Sequence, residues 1–125
     1  MLDSLNGLSI FNMLDRVMLQ VEYHCFADLR LKRIDPLYKD LCFIIAEVLV
    51  LGRDVPIKIN GALLPARLVQ DVYSQLNNGH IRIVFDNFHN VSQRVHNKKA
   101  YLRTALYNVV FEIESHFVNS LVAVD

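Results

Sequence analysis

The sequence predicts a mainly α fold: a compact bundle of about five helices with one short β-hairpin inserted at about residues 55–64. Three observations carry this. Apolar residues recur at spacings of three and four through most of the chain, the period of a helix with one buried face. Asp35-Pro36 and Asn97 stand where helices would begin, since such side chains accept the free amides of a first turn and proline fits the first helical position. Only in VPIKINGALL (55–64) does the period shorten to alternation, and there Asn60-Gly61 offers the two positive-φ residues of a tight turn.

In chain order, Leu5, Leu8, Phe11, Leu14, Val17 and Met18 predict a first helix that starts after Gly7, with Ser9 as its cap. Residues 21–31 (VEYHCFADLRL) mix β-branched, aromatic and charged residues and predict a bend followed by a short helix. After Asp35, the residues Leu37, Leu41, Ile44, Ile45, Val48 and Leu49 form a helix that is apolar nearly all round. It belongs at the centre of the bundle, with Glu47 its one interior charge and Gly52 its positive-φ terminator.

The hairpin is too small to stand alone and must pack on helices. Pro65 opens a third helix with Leu68, Val69, Val72, Tyr73 and Leu76 buried, stopped by Asn77, Asn78 and Gly79. Ile81, Val84, Phe85 and Phe88 define a fourth helix from His80, with Arg82 and Asp86 outward. Residues 89–96 form a polar connection. The last helix, capped by Asn97, carries Leu102, Ala105, Leu106, Val109, Val110, Ile113 and Phe117.

The 125 residues are 53% hydrophobic and 21% charged, which excludes a disordered chain and suffices for a single domain with its own core. Thirteen Lys+Arg balance thirteen Asp+Glu, so the molecule as a whole is not a generic polyanion binder. No apolar run spans a bilayer, and residues 1–20 carry Asp3 and Asp15 and lack the features of a signal peptide. Cys25 and Cys42, without CxxC spacing, suggest buried reduced thiols in a cytoplasmic protein.

Chemistry-bearing motifs are scarce. Glycines at 7, 52, 61 and 79 cannot build a phosphate loop, and the five histidines never fall at i, i+4 on one helix. His24 beside Cys25 hints at a base and nucleophile, but neighbours on a strand point to opposite faces. An enzyme is disfavoured, and no cofactor or metal is expected.

Charge clustering is more informative. Residues 79–108 hold Arg82, Arg94, Lys98, Lys99 and Arg103 against Asp86 alone, a local charge of +4 with neutral histidine. Lys98, Lys99 and Arg103 open the last helix, where the helix dipole favours acids. Such a local violation fits a site for an anionic partner, protein or nucleic acid, and equally an ordinary solvated helix start. Tyr101 among those bases is the aromatic expected to be exposed, whereas Tyr107 is expected to pack and Asn108 to bond within the bundle.

Residues 57–117 also resemble the carboxy-terminal domain of the replication initiator protein A family, carried by plasmids and integrative elements of Gram-positive bacteria. The matching pieces are IKING (57–61), LPARLVQDVYSQL (64–76), HIRIVFDNF (80–88) and VHNKKAYLRTALYN (95–108). The last piece is similar to the DnaD type of helicase-loading domain as well. The resemblance implies a non-enzymatic interaction domain that recruits host primase or helicase-loading proteins, with auxiliary DNA contact. Its matched helix-start residues are Asn97, Lys98, Lys99, Tyr101 and Leu102. Relatives carry an amino-terminal winged-helix domain that is absent from these residues, so the chain is expected to be the carboxy-terminal part alone, with no membrane partner. The binding residues expected are therefore Arg94, Lys98, Lys99, Tyr101 and Arg103. A second reading is a homo-oligomerisation module built from residues 1–20 and the apolar end of the last helix.

Overall fold

The computed structural model describes residues 2–124, with side chains described over residues 9–112. Among these, five α-helices and one antiparallel hairpin follow in order: α1 (Leu2–Gln20), α2 (Pro36–Leu49), β1 (Pro56–Ile59), β2 (Ala62–Pro65), α3 (Ala66–Tyr73), α4 (Asn78–Val91) and α5 (Lys98–Val124). Two 3₁₀ turns, Tyr23–Phe26 and Ser92–Arg94, precede α2 and α5. The mainly α class with a short inserted hairpin is the one the sequence predicts.

Helix α2 is the centre, touching α1, α3, α4 and α5. Its start follows the sequence: Asp35 Oδ1 accepts the Leu37 amide at 2.9 Å and Pro36 takes the first position. Its end does not. The helix stops at Leu49 with Val50 still right-handed, and Gly52 has no positive φ. The buried Gln70 amide donates to the carbonyls of Val48 and Leu51, so a side chain from α3 closes α2 in place of a glycine turn.

The hairpin turns at Asn60 (φ 54°) and Gly61 (φ 80°), the left-handed pair its sequence demands. Ile57 and Ile59 point into the core while Lys58 and its cross-strand partner Leu63 point out. Helix α3 is shorter than its apolar pattern suggests, ending at Tyr73, though Leu76 beyond it is still buried. Leu68 is exposed rather than buried, because Ala66, Val69, Val72 and Tyr73 already set the inward face. Asn77 starts α4 instead of stopping α3. Its Oδ1 accepts the His80 amide and His80 Nδ1 accepts the Asn77 amide, a reciprocal cap.

Other boundaries also move. Helix α1 runs from Leu2 straight through Gly7 and Ser9, since one interior glycine costs only about 0.5–1 kcal/mol. The bend after α1 is present, entered through Glu22 at φ 54°, but the short helix is the 3₁₀ turn Tyr23–Phe26. Helix α4 takes in His89 to Val91, so the expected polar connection is partly helical. Cys42 is buried in α2, whereas Cys25 is exposed on the 3₁₀ turn, and both are free thiols.

Helix α5 begins as expected, with Asn97 Oδ1 accepting the Ala100 amide at 3.0 Å. It buries Leu102, Leu106, Val109 and Val110. The side chains of Ile113, Phe117, Val118, Leu121 and Val122, and of residues 1–8, lie outside the described residues, and with them much of the surface of the oligomerisation reading.

Candidate functional site

The start of α5 is fixed by its buried line. Leu102 is fully buried, and at 3.6 residues per turn Lys98 and Lys99 emerge on its two flanks. Both reach α2. Lys98 Nζ lies 3.1 Å from Asp40 Oδ2, and Lys99 Nζ pairs with Glu47 Oε2. Asp40 and Glu47 stand two turns apart on α2, and with Phe43, Ile44, Lys98 and Lys99 they line one groove. Its floor is apolar and its rim carries charges of both signs. Glu47, the interior charge of the central helix, is half-buried and has found a cation.

Lys98 also lies 6.0 Å above the Phe88 ring, whose centroid is 6.0 Å from that of Tyr101. Phe88 thereby gathers a cation and an aromatic at the same end of α5. Tyr101 is exposed as expected, Tyr107 is half-buried, and Asn108 bonds reciprocally to Asn60 across the fold.

The remaining two bases sit apart. Arg94 is exposed in the preceding 3₁₀ turn and makes no ion pair among the described residues. Arg103 is half-buried on the side of α3, with a buried Nε that has no hydrogen-bond partner. Its carbonyl accepts the Tyr73 hydroxyl at 2.6 Å. Burial pushes the Tyr73 hydroxyl up from its ordinary range, with the Arg103 charge opposing. The structure therefore places Lys98, Lys99 and Tyr101 in the first turn of α5 and leaves Arg103, one turn after Lys99, half-buried beside Tyr73.

The carboxylates facing the bases are the part sequence reasoning missed. The signal was there: Asp40, Phe43, Ile44 and Glu47 fall at i, i+3, i+4 and i+7, one face of one helix. A second omission is the run DLRLKR (28–33), where leucines alternate with bases.

The expectation that His24 and Cys25 point apart assumed a strand. On the 3₁₀ turn Cys25 Sγ lies 3.4 Å from His24 Nε2 and 3.8 Å from Glu22 Oε2. All three residues are exposed. Among the described residues, no group of three or more His, Cys, Asp or Glu could hold a metal ion, and no helix is long and apolar enough to cross a membrane.

A family model described as a family of unknown function (DUF6017) matches residues 4–125. No curated protein and no solved structure matches the chain.

Proposed function

The chain belongs to DUF6017, a family of unknown function, and we propose that it serves as a non-enzymatic protein-interaction domain of a plasmid-type replication initiator. In this reading it works in the cytosol and recruits host primase or helicase-loading proteins. Arg94, Lys98, Lys99 and Tyr101 meet an acidic partner surface, and auxiliary DNA contact uses the same end of α5.

The observation that carries the reading is the exchangeable character of the α2–α5 groove. Both lysine side chains remain about half exposed, 52% for Lys98 and 50% for Lys99. Surface ion pairs of this kind contribute at most about 1 kcal/mol each. Carboxylates of a partner can therefore replace Asp40 and Glu47 at small net cost, while an apolar partner side chain covers Phe43. The element order supports the kinship: a hairpin leads into Pro65-Ala66, His80-Ile81 lie in the first turn of α4, and Asn97 caps the helix holding Tyr101 and Leu102.

The test is capture of replication proteins with the chain as bait. Wild type retains primase or the helicase loader, and Lys98→Ala with Lys99→Ala loses it. Equal capture by both overturns the assigned surface.

A further inference from the structure

Away from α5, the loop between the first 3₁₀ turn and α2 is built to hold a shape. Asp28 and Arg33 form a β-bridge, with the Asp28 amide donating to the Arg33 carbonyl at 2.7 Å. Lys32 N–H donates to the Asp28 carbonyl at 2.7 Å, with Lys32 itself at φ 53°. Asp28 Oδ1 accepts the amides of Arg30 and Leu31 at 2.8 and 3.2 Å. An aspartate that closes a turn on its own backbone is a recurrent way to rigidify a loop.

What this ordered loop displays is unusual for a surface. Leu29 is 92% exposed and Leu31 59% exposed. Arg30, Lys32 and Arg33 are exposed too, and none forms an ion pair among the described residues. Ordering solvent-facing leucines between unpaired cations gives the isolated chain no burial in return.

Beneath the loop lies a cleft of about 290 Å³, walled by Leu31, Arg33, Asp28 and Asp35. It is floored by a column of stacked rings. Phe26, Tyr38 and Phe85 follow each other with centroids 4.1 Å apart, nearly parallel. Arg82 lies 5.1 Å over the Phe26 ring, held by the Cys25 carbonyl and Asn78 Oδ1. The site thus has an apolar floor, a cationic rim and a rigid wall.

We propose that this loop and cleft dock an acidic segment of a partner protein, with one apolar side chain of that segment entering the cleft over Phe85 and flanking carboxylates meeting Arg30, Lys32 and Arg33. This goes beyond the α2–α5 groove and does not depend on it. Charge complementarity selects a peptide over other polyanions. Asp28 and Asp35 stand on the cleft wall, so a continuous line of phosphates or a plane of lipid headgroups meets repulsion there. A peptide segment places one apolar side chain between those carboxylates and keeps its acidic side chains on the rim beside Arg30, Lys32 and Arg33.

The experiment uses a fluorescein-labelled heptapeptide with one phenylalanine at the centre of acidic residues, read by anisotropy. Wild type binds it. Arg33→Glu and Leu31→Asp each weaken binding roughly tenfold, the loss expected for a lost charge pair or apolar anchor, with melting temperatures unchanged. Lys58→Glu on the hairpin leaves binding intact, and replacing the central phenylalanine by glycine abolishes it. Equal affinity of wild type and Arg33→Glu overturns the proposal. So does retention of the glycine peptide, or binding only to phosphatidylserine vesicles or an oligothymidine strand.

Discussion

The ammonium group of Lys99 closes an ion pair with the Glu47 carboxylate, tying the first turn of α5 to the central helix α2. The adjacent Lys98 does the same with Asp40, two turns earlier on α2. Bases at a helix start oppose the dipole, and here the carboxylates of a neighbouring helix offset that penalty. The two pairs join the α2 and α5 sides of the groove. Removing the acids with Asp40→Asn plus Glu47→Gln should free the lysines, lowering stability by about 1 kcal/mol in total while raising affinity for an acidic partner. Urea unfolding and calorimetry on the same variant separate the two effects.

The Asn60–Asn108 amide pair joins the hairpin turn to α5 through two hydrogen bonds of 2.9 and 3.1 Å. Asn108→Ala should cost about 1 kcal/mol. Asn60→Ala should cost more, because alanine also inherits the φ of 54°. Asn60→Gly keeps the backbone relaxed and loses only the pair. Combining it with Asn108→Ala should add little, since the same bonds are already gone. Urea midpoints for the set of variants decide this.

The stacked column predicts a sharp contrast at Tyr38, which is buried between Phe26 and Phe85. Tyr38→Ala should destabilise by about 3–5 kcal/mol. Tyr38→Phe keeps both stacks and should stay within about 0.5 kcal/mol of wild type. A similar loss for the two variants in thermal unfolding would show that the rings contribute nothing beyond the hydroxyl.

The two thiols should behave differently. Burial pushes the Cys42 thiol up to about 12 from an ordinary 9.0. Because the folded value is raised, its contribution to stability is full below pH 9 and is lost as pH rises toward 12. Burial of Tyr73 acts in the same direction. A disulfide reagent at pH 8 should label Cys25 alone in the native protein and both cysteines in denaturant. Rapid labelling of Cys42 in native protein would contradict its burial.

The sequence carried the element types well because they rest on local signals: Asp35-Pro36, Asn60-Gly61 and Asn97 each act through the residues beside them. Errors arose where a distant side chain decided the outcome. Gln70 closes α2 from another helix, and Asn77 caps forward rather than stopping α3. The same divide runs through the site. Lys98, Lys99 and Tyr101 were legible as a basic, aromatic helix start, but their partners Asp40, Glu47 and Phe88 lie up to 58 residues away in sequence. Arg103 turned inward because Leu102 and Leu106, not its own charge, set the rotation of α5.

The central claim, that the start of α5 docks an acidic partner, is tested most directly by calorimetry of the chain with purified host primase or helicase loader. Wild type should bind, Lys98→Ala with Lys99→Ala should weaken binding by roughly tenfold or more, and Asp40→Asn with Glu47→Gln should strengthen it. Identical affinities across the three proteins, all folded by circular dichroism, would contradict the account.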